Sequence, residues 1–166
     1  MIGDRWGVTD DEVTRHYPCD AIVPSPSLQA WRGVTVHAAP GAVWPWITQL
    51  RWAPYSYDWV DNLGRRSPQQ LLDTRPPVPG DHFTSTANRP QGCLLSVEPQ
   101  VHYTGRILCA VMSYVLVPVD ERTTRLLLKI VISGYGWLVP VVSVGDLVMA
   151  RRQLLNLKRL AEKDPA

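Results

Sequence analysis

Two tyrosines, a tryptophan and a carboxylate lie within five residues in the segment Tyr55-Ser56-Tyr57-Asp58-Trp59. On a helix, Tyr55 and Trp59 would share a face, and Asp58 would lie beside Tyr55 at the i+3 spacing. A hydroxyl that polarises a carbonyl and an acid that moves a proton are what an aldol-type cyclisation or dehydration requires. The segment therefore predicts a ligand-binding or acid–base site. A structural cluster, in which Asp58 caps a helix or pairs with an arginine, remains the alternative.

Arg151 is the second candidate, because a rotation of about 100° per residue places it near the middle of the apolar face of a C-terminal helix. The apolar residues on its two sides are Leu147, Ala150, Leu154, Leu157 and Ala161, and Val148 and Leu155. A guanidinium among apolar side chains requires a polar partner, since an unpaired buried charge costs several kcal/mol. A structural ion pair, a side chain that reaches outward along its stem and a ligand contact all remain open.

An enzyme of the cyclase or dehydratase type would use Tyr57, Asp58 and Arg151 together. The expected pairing of Asp58 with Arg151 conflicts with this role, because a nearby guanidinium lowers the pKa of a carboxyl that must be raised to act as an acid. Binding without catalysis is therefore the preferred interpretation, and the enzyme is the alternative.

Other reactive side chains lack the spacing that metal or catalytic sites need. The four histidines form no i, i+3 or i+4 pair, and no nucleophile elbow or Gly-rich phosphate loop is present. We therefore expect no metal and no cofactor. The three cysteines form no C-x-x-C pattern, and they are typical of reduced thiols in a cytoplasmic protein. They are Cys19, Cys93 and Cys109.

The composition limits the class of protein. A chain of 166 residues fits one domain, and a net charge of +2 gives no overall field for holding nucleic acid, so we expect no nucleic-acid partner. Seven Trp and six Tyr stand against a single Phe. Rings that are both apolar and hydrogen-bonding suit a pocket or an interface.

The order of predicted elements is typical of an α+β domain. Residues 1–29 predict an N-terminal arm that lies on a single domain of residues 30–166. Predicted strands cover 30–37, 82–85, 93–98, 101–106, 108–119 and 123–133. Predicted short helices start at Pro40 and cover 56–63 and 68–73. A long final helix is expected to begin at a capping box formed by Ser143 and Asp146.

Several short motifs occur in the order found in a known superfamily. They are residues 6–13, 40–46 and 55–59 with Asn62, and, near the end, 148–149, 151–152, 155, 158–159 and 161–162. On these the chain resembles the SRPBCC superfamily of START-like, helix-grip proteins, most of all its small uncharacterised bacterial polyketide-cyclase-like members. The resemblance implies a curved antiparallel sheet of six or seven strands around the C-terminal helix, with a deep cavity between them. The superfamily has no shared catalytic motif, so no catalytic residue is transferred.

The residues and the resemblance together predict a protein that binds a small, largely apolar or aromatic molecule in an internal cavity. The expected lining residues are Trp46, Tyr55, Tyr57, Asp58, Trp59, Asn62, Trp137, Leu147, Arg151 and Leu154. A further alternative is a membrane-peripheral or protein-interaction module that uses the apolar segment 134–145. The uncharged stretch 130–145 is shorter than the ~20 residues that a spanning helix needs.

Overall fold

The computed structural model describes residues 4–134 and 139–163, and in the final helix it describes the side chains from Val148 onward. Six strands form one curved sheet in the order β1-β2-β8-β7-β6-β5, and β3 pairs with β4 in a separate hairpin. The strands are β1 (Arg5–Trp6), β2 (Leu28–Val36), β3 (Thr84–Thr86), β4 (Arg89–Gln91), β5 (Cys93–Glu98), β6 (His102–Ile107), β7 (Ala110–Asp120) and β8 (Thr123–Ile132). The helices are α1 (Asp10–Thr14), α2 (Pro18–Ile22), α3 (Pro40–Thr48), α4 (Asp58–Asp61) and α5 (Val139–Ala161). This is the predicted α+β architecture.

The long β7–β8 hairpin shows how the sequence separates the two faces of the sheet. Successive side chains of a strand point to opposite faces. Leu126, Leu128 and Ile130 therefore join the core beneath α5, whereas Leu127 and Val131 pack on the opposite face. The predicted turn at 120–122 is confirmed, and the backbone N–H of Arg122 donates to Asp120 Oδ1 at 2.7 Å.

Two short helices differ from the expectation. One ends early at residues with positive φ angles, and in the other segment a side chain forms hydrogen bonds with backbone groups. The predicted helix 56–63 shortens to α4, since Leu63 and Gly64 adopt positive φ angles of 50° and 80°. The predicted helical fragment 68–73 is absent from the described structure. There Nε2 of Gln49 donates to the carbonyl of Gln70, and the backbone N–H of Leu72 donates to Oε1 of Gln49. These hydrogen bonds take the place of helical ones.

The buried stripe of α5 is narrower than the sequence suggests. Ala150, Leu154, Leu157 and Ala161 are buried, but Val148 and Leu155 are 49% and 37% exposed. Because those two residues do not contribute to the core, the centre of the stripe moves away from Arg151. Arg151 consequently lies outside the core and is exposed.

The N-terminal arm covers the outer face of the sheet. Here β1 adds to the sheet edge parallel to β2, and the capping box of Thr9 and Glu12 starts α1. Glu12 accepts from Nε and Nη2 of Arg125 on β8, at 2.7 and 2.8 Å. In α2, Cys19 is buried, and burial raises the pKa of its thiol to about 11.

No helix in the described part of the chain is long and apolar enough to cross a membrane. The side chains of segment 134–145, Gly134 aside, lie outside the described residues. Its use as a membrane or protein contact, like the cytoplasmic location, therefore stays a prediction.

Candidate functional site

A cavity of about 220 Å³ lies between the inner face of the sheet and α5. Side chains from β6, β7 and β8 form one wall, and Met149 and Ala150 of α5 form the other. Most of the lining is aliphatic or aromatic: Leu50, Pro54, Phe83, Ile107, Met112, Tyr114, Leu128, Ile130, Met149 and Ala150.

Phe83, the single phenylalanine of the chain, packs in the cavity wall against Gly105, which has no side chain. A Cβ at Gly105 of β6 would lie 2.0 Å from Cδ2 of Phe83, so only glycine leaves room for the ring. Phe83 stacks on Tyr103, with ring centroids 5.2 Å apart and planes inclined by 19°. The position of this cavity wall therefore depends on Gly105.

Three polar side chains of the cavity are committed to the protein itself. The Ser56 hydroxyl donates to the carbonyl of Met149 at 3.0 Å. The Tyr114 hydroxyl donates to Oε1 of Gln153 at 2.5 Å, and Nε2 of Gln153 donates to the carbonyl of Pro54 at 2.5 Å. These bonds fasten α5 to the loop before α4 and to β7.

Asp61, the last residue of α4, differs from these three residues. Its Oδ1 is buried and has no hydrogen-bond partner. Burial raises the pKa of this carboxyl above its ordinary value, and the Ser56 hydroxyl and nearby backbone N–H groups offset only part of the rise. The single proton of the Ser56 hydroxyl is directed to Met149, so that hydroxyl does not supply Oδ1 of Asp61 with a hydrogen bond.

Thr84 and Thr86 bring two more hydroxyls to the cavity, and neither makes a hydrogen bond to another described residue. Asn62 Oδ1 accepts from the backbone N–H of Ala87 at 2.8 Å, which joins the end of α4 to the β3–β4 turn. Since Asp61 precedes Asn62 and Thr86 precedes Ala87, these uncommitted groups lie at the same end of the cavity.

A second, polar pocket of about 430 Å³ lies on the other side of the segment 55–59. Both carboxylate oxygens of Asp58 accept from Ser67, from its backbone N–H at 2.9 Å and from its hydroxyl at 2.5 Å. Arg152 lies over the Tyr57 ring at 5.7 Å. Asp58 therefore anchors the loop that follows α4.

The three residues of the enzyme hypothesis do not meet around one point. Tyr57 and Asp58 line the polar pocket, but Arg151 lines neither pocket. Its guanidinium lies over the Trp6 ring instead, 5.0 Å from the centroid. The expected pairing of Asp58 with Arg151 is thus corrected, because α5 turns Arg151 away from α4.

The other expected lining residues whose side chains the structure describes also lie outside the cavity. Trp46 and Leu154 are core residues, and the Tyr55 hydroxyl accepts from Nε2 of Gln49 at 2.7 Å. The Asn62 side chain forms hydrogen bonds with the backbone of Arg65 and Ala87. Trp59 is 76% exposed, and it lines the polar pocket together with Tyr55. Trp137 and the side chain of Leu147 lie outside the described residues.

Sequence reasoning missed Asp61, although it lies three residues after Asp58 on the same helix. The available signal was this i, i+3 pair of acids, but nothing in the sequence showed which acid faces the sheet. No group of three or more potential metal ligands occurs in the described ranges. The expectation of no metal, like those about partners, stays a prediction.

Comparisons with known proteins give structural likeness alone. No family model and no curated protein matches the chain. Protein MLL2253 from Mesorhizobium loti superposes with a TM-score of 0.56 at 15% identity, over 84% of this chain and 100% of that one. A polyketide-cyclase-like protein, Cgl2372 from Corynebacterium glutamicum, gives 0.52 at 14%, over 84% and 93%. Protein NE0264 from Nitrosomonas europaea gives 0.53 at 13%, over 82% and 96%.

Proposed function

We propose that this chain, which has the helix-grip fold, binds a small, largely apolar molecule in the cavity beneath its C-terminal helix. The observation that carries the proposal is the lining: ten aliphatic or aromatic residues surround about 220 Å³, with the uncommitted polar groups at one end. A cavity of this size and lining suits a ligand of one or two rings or a short branched chain.

Binding is tested by NMR on protein labelled with ¹³C at the methionine methyl groups. The chain has three methionines, and Met112 and Met149 both line the cavity. With naphthalene as the probe, we expect both methyl signals to shift and to saturate together. Met112→Leu and Met149→Leu assign the signals.

A cavity-blocking variant supplies the control. Ala150→Leu places a larger side chain into the cavity from α5, so it should abolish the naphthalene-induced shifts. Leu155→Ala changes an exposed residue of the same helix and should leave them intact. The proposal is contradicted if naphthalene and other apolar probes leave both methyl signals unmoved, or if Ala150→Leu binds as well as the unaltered protein.

Catalysis of a dehydration is the second candidate, and Asp61 would carry it. The carboxyl lines the cavity, and burial raises its pKa in the direction that a general acid requires. Binding ranks first because none of the residues expected to assist an acid joins Asp61. The test is loss of water from 4-hydroxy-4-phenylbutan-2-one, followed by the absorbance of the enone. Turnover that Asp61→Asn removes would favour the enzyme.

A further inference from the structure

We infer that the ligand carries a hydrogen-bond donor, a hydroxyl or an amino group, on its apolar skeleton, and that the carboxylate of Asp61 accepts this bond. The inference rests on the proposed binding function and adds the chemical class of the ligand.

The protein leaves the hydrogen bonding of the Asp61 carboxyl group incomplete. Oδ1 of Asp61 is buried without a partner, and the hydroxyl of Ser56 donates to the carbonyl of Met149. Buried polar groups in native proteins nearly always have a partner, and one that lacks it marks a place where a ligand or water completes the site. A donor brought by the ligand would supply what the protein leaves out.

Asp61 shares the cavity lining with two threonine hydroxyls. The Asn62–Ala87 hydrogen bond holds the end of α4 against the β3–β4 turn, so Thr86 lies at the Asp61 end. Its hydroxyl, like that of Thr84, is free to donate to the ligand or to accept from it. A hydroxyl group on the ligand can therefore donate to Asp61 and accept from a threonine at once. The apolar part then lies against Met112, Ile130 and the remaining wall.

The site would reject ligands that lack a hydrogen-bond donor. An ether of the same shape presents only lone pairs, which repel a carboxylate and leave it unpaired. A site built around a hydrogen-bonding partner discriminates strongly against the analogue that lacks the matching group. Selectivity for a donor over its methyl ether is thus the measurable signature of the inference.

The experiment compares three probes that share the naphthalene skeleton: 2-naphthol, 2-methoxynaphthalene and 2-(aminomethyl)naphthalene, of which the ether and the amine match in size. Affinities come from titration of the Met112 and Met149 methyl signals at pH 7. We expect 2-naphthol or the amine to bind about tenfold more tightly than the methyl ether, as one charge-assisted hydrogen bond provides. Preference for the amine over the alcohol would identify a cationic donor, and the reverse preference a neutral one.

Two substitutions locate the selectivity. Asp61→Leu keeps the side-chain shape but removes both oxygens, so the preference for the donor should fall to within about twofold while the methyl ether still binds. Asp61→Asn keeps one acceptor oxygen and guards against misfolding of the leucine variant; it should retain a reduced preference. Asp73→Asn, an exposed acid outside the cavity, is the matched control.

The outcomes separate this inference from the proposed function. If none of the probes shifts either methyl signal, the binding function itself fails. If all probes bind but donors and the ether bind equally to the unaltered protein, binding stands and the role of Asp61 is overturned. Donor selectivity that persists in Asp61→Leu would likewise overturn it.

Discussion

The guanidinium of Arg151 lies over the indole ring of Trp6, 5.0 Å from the ring centroid. Trp6 belongs to β1, the parallel edge strand of the N-terminal arm, and Arg151 belongs to α5. The contact therefore fastens the arm to the C-terminal helix. The sequence places Arg151 near the core, but its partner in the structure lies outside the cavity.

Arg151→Ala is expected to lower the free energy of unfolding by about 0.5–1 kcal/mol, as for an exposed cation–π contact. Because Arg151 does not line the cavity, the affinity for naphthalene should stay within about twofold of the unaltered value. Chemical denaturation and the methionine-methyl titration measure the two effects. A large loss of affinity with unchanged stability would place Arg151 in the binding site after all.

Glu12→Gln should weaken the attachment of the arm, because it removes the charge that pairs with two nitrogens of Arg125. Burial works to raise the pKa of Glu12, but hydrogen bonds from Arg125 and from the backbone N–H of Thr9 outweigh it and lower the pKa below 4.5. The stability from this pair is therefore present above the ordinary pKa and lost as the pH falls through the lowered value.

At pH 7 the expected cost of Glu12→Gln is about 1–3 kcal/mol, the contribution of a hydrogen bond to a charged group. Below the lowered pKa of Glu12 the two proteins should converge. Thermal unfolding at both pH values measures this difference, and Asp10→Asn, which removes an exposed pair with Arg5, should cost far less. An equal cost at both pH values would exclude the ion pair as its source.

Asp61→Asn should have the opposite dependence on pH. Burial raises the pKa of Asp61 above 3.8, so its contribution to stability is greatest below that value and is lost as the pH rises through the folded-state pKa. Asparagine carries no charge to bury. We expect it to raise the free energy of unfolding at pH 7 by on the order of 1 kcal/mol, and by less below pH 4. A melting temperature lowered at pH 7 would show that the carboxylate has a partner in the folded protein.

Gly105→Ala tests the wall of the cavity. Its Cβ would collide with the Phe83 ring at 2.0 Å, so the ring must move, and we expect a loss of about 1–3 kcal/mol together with weaker naphthalene binding. Gly41→Ala is the control, since its Cβ would lie 3.7 Å from Gln100 and residue 41 is in α3. That substitution should be neutral or stabilising. Equal effects of the two would show that Phe83 is not held by Gly105.

The periodic parts of the fold could be predicted because their signal is local. The alternation of side chains between the two faces along residues 123–133 predicts β8, and residues 120–122 predict the turn before it. The capping box of Thr9 and Glu12 was equally local, a T-x-x-E pattern at the start of a helix.

The site could not be predicted in the same way because it depends on distant contacts. Whether Asp58 or Asp61 faces the sheet depends on how Ser67 and the Ala87 turn hold α4, and both lie outside its own sequence. The rotation of α5 similarly depends on which apolar residues find partners in the sheet. Val148 and Leu155 find none in the core, so Arg151 is exposed.

The attachment of the N-terminal arm to β8 constrains the order in which parts of the chain fold during synthesis. Glu12 and Arg125 are 113 positions apart, so a ribosome completes the arm well before the strand that holds it. At roughly 5–20 residues per second, that interval is on the order of ten seconds. During that interval the strands on which Tyr17 and Cys19 pack are not yet complete. The arm is therefore synthesised before the strands that it covers, and it can pack on them only after the β7–β8 hairpin has formed.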